Sequence, residues 1–164
     1  MLSQFNINKS LLRSKISSNI YDLNELNKIY NWLPNEHNIR PDSITLEQKR
    51  ESCKEILLTY GSFESFILET IFKPTNLKWV FTPATFRYNL PHNSNHFILW
   101  NSDKNLMFEY DDEIINQKIK EELNKLFLNF ENKYTYDFAW YKNPKPTAFE
   151  YYHVQVFWVK IKLI

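Results

Sequence analysis

Three of the four histidines and one glutamine are placed where they could do chemistry. His153 and Gln155 stand two residues apart in Tyr151-Tyr152-His153-Val154-Gln155-Val156-Phe157-Trp158-Val159. That run is rich in β-branched and aromatic residues and has no glycine or proline, so its composition predicts a strand. Strand side chains alternate between two faces. Tyr151, His153, Gln155, Phe157 and Val159 share one face; Tyr152, Val154, Val156, Trp158 and Lys160 share the other. The second face is apolar enough to be core. The first sets an imidazole beside a carboxamide, with a phenol at the flank. Such a pair suits covalent transfer, in which an imidazole nitrogen attacks phosphorus and a polar neighbour orients the phosphate oxygens.

Other residues can converge on that face. His96 opens a second strand, His96-Phe97-Ile98-Leu99-Trp100, in which His96, Ile98 and Trp100 point the same way. His92, Tyr88 and Asn89 stand in the aromatic loop before it, and loops of that length more often serve function than idle. The expected catalytic residues are His153, Gln155 and His96. The expected substrate-binding residues are His92, Tyr88, Asn89, Trp100, Trp140, Asn143 and Tyr151. Metal chemistry is disfavoured: imidazole is a common zinc ligand, but only His92 and His96 are closely spaced, and they are separated by loop. No metal and no cofactor are expected. The plainer reading of His153 is a buried histidine hydrogen-bonded to Tyr or Asn, of Asn143 a turn residue before Pro144, and of His37 a solvated loop residue.

Composition narrows the classes further. A chain of 164 residues makes one domain that buries about two-thirds of its unfolded surface. A net charge of +1, from 20 basic and 19 acidic residues, is unlike the basic footprint of a general nucleic-acid binder. The lone cysteine, Cys53, excludes an internal disulfide and falls in a helical pattern, where it reads as a small buried hydrophobe. Gly61 is the only glycine, so no P-loop or dinucleotide fingerprint can form. No run approaches the ~18 apolar residues of a membrane span, and no secretory leader is recognisable. A cytoplasmic or nuclear address is the default expectation.

The elements that must position the histidines follow from periodicity. Residues 1–18 read as an irregular arm and 19–164 as the domain. A helix is expected from Asn19 through Leu23, Leu26 and Tyr30 to Pro34, then a loop to Asp42. The next helix starts at Ser43 or Thr45 and ends at Tyr60, with Leu46, Cys53, Ile56, Leu57 and Tyr60 as its stripe and Gly61 as its stop. Ser62 caps a short helix with Phe63, Phe66, Ile67, Leu68 and Ile71 inward. Leu77–Phe81 is a strand. Asp111-Asp112-Glu113 opens a long helix with Ile115, Ile119, Glu122, Leu123, Leu126 and Phe130 on its packing side. Tyr136–Tyr141 is a strand, Asn143–Pro146 a turn, and the His153 strand closes the chain. The layout is α+β: a mostly antiparallel sheet with N-terminal helices and one long helix packed against one side.

Two resemblances rest on particular residues. Tyr151-Tyr152-His153-Val154-Gln155 resembles the His-x-His-x-Gln strand of the galactose-1-phosphate uridylyltransferase branch of the histidine-triad superfamily, with Tyr151 in place of the first histidine. It implies a histidine-triad-like sheet with His153 as nucleophile and Gln155 on phosphate. A two-histidine phosphoesterase would need His-x-Ser/Thr strands, and neither His96-Phe97-Ile98 nor His153-Val154-Gln155 supplies the hydroxyl. Over a longer span, residues 50–158 resemble the fungal N-acetylglucosamine-induced protein family. The matching features are Tyr60-Gly61-Ser62 with Phe66-Ile67, Tyr88-Asn89-Leu90-Pro91 before His96–Trp100, Tyr136–Trp140 with Asn143-Pro144, and Tyr151–Val154. That family's strand closes on His-x-His-Val, and here too Tyr151 replaces the first histidine. This resemblance implies an intracellular protein linked by name to amino-sugar response, and brings no established reaction.

Three functions follow as expectations: an enzyme acting on a nucleotide or phosphorylated sugar, a non-catalytic ligand binder with the same pocket, or an immunity or regulatory module that binds a protein partner. The first requires His153 and His96 to face one accessible cleft.

Overall fold

A corner at Gly61 and Ser62 sets the course of the chain in the computed structural model, which describes residues 43–86, 94–104, 110–142 and 151–164. Helix α1 (Ser43–Tyr60) ends where Gly61 adopts φ +78° and its N–H reaches back to the Leu57 carbonyl at 3.0 Å. That left-handed cap is the one place where the chain needs its glycine. The Ser62 hydroxyl then accepts from the Ser65 N–H at 3.1 Å and caps α2 (Phe63–Ile67). A Cβ at Gly61 would meet nothing within 4 Å, so Gly61→Ala should cost only the backbone term, about 1 kcal/mol. Urea midpoints check this; a much larger loss would show that the corner does more than turn the chain.

After α2 the helix widens into a π turn, Leu68–Phe72, closed by the Lys73 N–H on the Leu68 carbonyl at 2.9 Å. This widening buries Phe72 alongside Ile67, a position the α-helical stripe does not predict. Strand β1 (Trp79–Pro83) starts two residues later than composition suggests, leaving Leu77 exposed. It is an edge strand, where Pro83 is tolerated. Strand β2 (Ser94–Asn101), helix α3 (Asp112–Phe127), a 3₁₀ turn (Leu128–Phe130), β3 (Tyr134–Tyr141) and β4 (His153–Lys162) complete the order. The sheet runs β1-β2-β4-β3 with every pairing antiparallel. This is the expected α+β class. Tyr151 and Tyr152 precede β4 rather than opening it, although the Tyr152 carbonyl still accepts from the Asn101 N–H at 2.9 Å.

The two faces of β4 divide as alternation predicts. Val154 and Val156 join Leu99, Phe138 and Trp140 beneath Ile115, Ile119 and Leu123, the i, i+4, i+8 stripe of α3. Each of these three α3 side chains is wholly buried, worth about 1.5–3 kcal/mol apiece by area. Trp158 is half-buried at the margin of this core, edge-on to Phe97 and Phe127. On the opposite face Ile67 and Phe72 pack against Val80, Trp100 and Tyr151. Helical segments therefore cover both faces of the sheet rather than one, because the Ile67–Phe72 segment carries its own apolar side to the His153 face. Helix α1 is only partly buried, and Leu57, expected in its stripe, is half exposed. The arm at 1–18, the helix from Asn19, the loop with His37 and the turn at Asn143–Pro146 lie outside the described residues.

A candidate active-site cleft

The antiparallel register brings the polar residues of β2 and β4 together. Trp100 lies across from His153, Ile98 across from Gln155, and His96 across from Phe157. Between this face and helices α1 and α2 is a cleft of about 150 Å³, into which His96, Trp100, His153 and Gln155 all project. Its other walls are Lys49, Cys53 and Ile56 of α1, Phe63, Phe66 and Ile67, and the segment Ala84–Phe86 that follows β1.

His153 is 8% exposed, and its Nδ1 lies 3.0 Å from the Tyr151 carbonyl oxygen. A carbonyl can only accept, so Nδ1 carries the hydrogen and Nε2 keeps its lone pair in the neutral ring. No other hydrogen bond to this imidazole is made by a described residue. The Trp100 ring, 4.6 Å away at 34°, holds the imidazole plane. Burial pushes the His153 pKa below its ordinary value, the bond to the Tyr151 carbonyl pulls the other way, and the Lys142 ammonium nearby lowers it again. The ring is therefore neutral at pH 7, with a nucleophilic nitrogen rather than a charge to offer.

An unfolded histidine titrates near 6.5, so below that pH the unfolded chain binds a proton that the native chain refuses. His153 thus favours the native state less as pH falls through about 6.5, and its contribution levels off below the depressed native pKa. The stability gap between wild type and His153→Gln, from urea unfolding at pH 7.5 and 5.5, should shift against wild type at the lower pH. A shift in favour of wild type would mean a raised native pKa and a charged ring.

Gln155 is 6% exposed, and its Oε1 accepts from His96 Nε2 at 2.5 Å. His96, 4% exposed, stacks on Phe157 with ring centres 4.6 Å apart and planes 15° from parallel. Both buried polar side chains are thereby engaged, as burial requires.

Not every residue singled out from sequence reaches the cleft. The phenol of Tyr151 turns away and packs against Phe72 at 4.9 Å, so it is the Tyr151 carbonyl that serves His153. Trp140 lies on the opposite face, in the α3 core, where its Nε1 donates to Asn116 Oδ1 at 2.8 Å. His92, Tyr88, Asn89 and Asn143 lie outside the described residues. Among the described residues no group of three metal-ligating side chains forms, and no described helix is long and apolar enough to cross a membrane.

The sequence reading missed the α1 wall. Cys53 is half-buried in the cleft lining rather than in the core. Lys49, Cys53 and Ile56 recur at i, i+4 and i+7, a spacing that puts them on one face. A lysine in such a stripe was the available signal.

No protein-family model matches the chain, and no curated protein matches it. Among solved structures, the crystal structure of a protein named HTC1 aligns over 76% of each chain with 12% identity and a TM-score of 0.45.

Proposed function

We propose that the chain binds a phosphate ester, either a nucleotide or a phosphorylated sugar, in this cleft, and transfers its phosphoryl or nucleotidyl group through His153. The observation that carries the reading is the fixed tautomer of His153, which leaves Nε2 as an unprotonated nucleophile beside the Gln155 carboxamide. In the first step the Nε2 lone pair forms a bond to phosphorus while the bond from phosphorus to the leaving oxygen breaks. The leaving oxygen takes its proton from solvent. The imidazole becomes an N-phosphoryl imidazolium, and its Nδ1–H bond to the Tyr151 carbonyl strengthens as positive charge develops. Water or a second hydroxyl then attacks phosphorus and gives its proton to solvent, the N–P bond breaks with its electron pair returning to Nε2, and neutral His153 is restored. At about 150 Å³ the cleft is smaller than the roughly 300–1,000 Å³ of whole-ligand pockets. It takes the reacting group, and the remainder of the ester lies outside it. The histidine-triad resemblance of Tyr151–Gln155 implies the same chemistry, with Tyr151 in place of the first histidine.

A second reading has its own support. Phe63, Phe66, Ile67, Ile98 and Trp100 make the walls largely apolar, which suits a binder that does no chemistry. One experiment separates the two: thermal shifts against nucleotides, sugar nucleotides and phosphorylated sugars, followed by product analysis for each compound that shifts. A ligand at about a hundred times its Kd stabilises by about 2.7 kcal/mol, or roughly 5–10 °C for a chain of this size. A shift with turnover supports the enzyme, and a shift without turnover supports the binder. No shift with any compound overturns both and favours a protein partner.

A further inference from the structure

We infer that His96 is a positioning residue, which holds the Gln155 carboxamide by its oxygen and so turns the amide N–H groups into the cleft as donors to an oxygen of the bound group. The inference deepens, and for its functional meaning rests on, the reading of the cleft as a phosphate-ester site.

A carboxamide offers an acceptor oxygen and a donor nitrogen on opposite arms of one plane. Free to rotate, Gln155 could present either arm to the cleft, and an oxygen there would repel an anionic group. His96 removes the choice. Its Nε2 is 2.5 Å from Gln155 Oε1, and only the histidine can donate in that contact. With the oxygen tied down, the amide nitrogen is directed the other way, and it makes no hydrogen bond to another described residue. His96 is itself held in place: it stacks on Phe157 and stands on β2, whereas Gln155 stands on β4. Three residues on two strands thus yield a complementary pair in the cleft, an acceptor lone pair at His153 Nε2 and amide donors at Gln155. An electrophilic centre that carries its own oxygen takes both, since the nitrogen faces the centre and the amide faces the oxygen as negative charge gathers on it.

The test uses the full chain, 15N-labelled, with Gln155→Leu to assign the side-chain amide pair of Gln155. His96→Phe keeps a ring over Phe157 and removes the donor; His96→Asn keeps an N–H donor on a shorter side chain. In the ligand-free wild type the Gln155 amide pair should be well dispersed and protected from exchange. It should lose both properties in His96→Phe and recover part of them in His96→Asn. Adenosine 5′-monophosphate as probe should bind about tenfold more weakly to His96→Phe, the worth of one oriented hydrogen bond. Gln155→Leu should lose a similar factor, and the double variant no more than either alone. Amide resonances unchanged in His96→Phe, or losses that add, would overturn the positioning role. A restrained amide released by His96→Phe in a chain that binds no phosphate probe would leave the positioning role standing and refute the phosphate-ester reading instead.

Discussion

On the phosphate-ester proposal, His153→Ala should erase any thermal stabilisation by a nucleotide or phosphorylated sugar, and any turnover with it, while the chain still folds. The substitution removes a cleft nitrogen whose tautomer leaves a lone pair with no hydrogen bond from a described residue. It also removes a ring packed at a tilt against Trp100 and the donor to the Tyr151 carbonyl. Those losses should cost about 2 kcal/mol in their own right, combining a small cavity with an unpaired acceptor. The apo melting temperature should therefore fall by roughly 4–8 °C. The informative quantity is the ligand-dependent shift, measured from each variant's own baseline. His153→Gln restores bulk and a polar group and separates loss of the nucleophile from loss of packing. A full ligand shift and full turnover in both variants would remove His153 from the mechanism.

Trp140→Ala should be the most damaging single change to stability, about 3–5 kcal/mol, and should leave the choice of ligand unaltered. Trp140 is 3% exposed, sits among Ile115, Ile119, Val154 and Val156, and satisfies its indole N–H on Asn116 of α3. Truncation opens a cavity where the sheet meets its long helix and leaves the Asn116 carbonyl without its donor. Urea unfolding measures the loss. Trp140→Phe, which keeps most of the ring, should lose much less and keep the same ranking of ligands. A change in ligand ranking with little loss of stability would place this tryptophan in the binding site, as the sequence reading had it.

That contrast shows where sequence was sufficient. Period-2 alternation assigned both faces of β4 correctly, because each side chain's face follows from backbone geometry alone. It likewise put His96, Ile98 and Trp100 together on β2. The Gly61 stop, the Ser62 cap and the Ile115–Ile119–Leu123 stripe were legible because each is a local rule satisfied by local residues. Registers and partners were not legible. Whether His96 would meet Gln155 depends on the offset between β2 and β4, which a single strand's composition does not encode. Trp140 alternates to the core face of β3, but its strand could not be oriented against β4 from sequence alone. The π turn at Leu68–Phe72 shifted the helical phase and hid Phe72. Cys53 was assigned to the core because a helical stripe looks the same whether it faces a core or a cleft.

Transfer through His153 requires its Nε2 lone pair to be open to the cleft. Long-range 1H–15N spectra of the imidazole, recorded at pH 7 during a titration with a phosphate ester that shifts the melting temperature, read that atom directly. The prediction is a neutral ring protonated at Nδ1, with the Nε2 resonance moving as ligand is added and the same titration silent in His153→Gln. An imidazolium, an Nε2-protonated tautomer, or an Nε2 resonance indifferent to saturating ligand would contradict it.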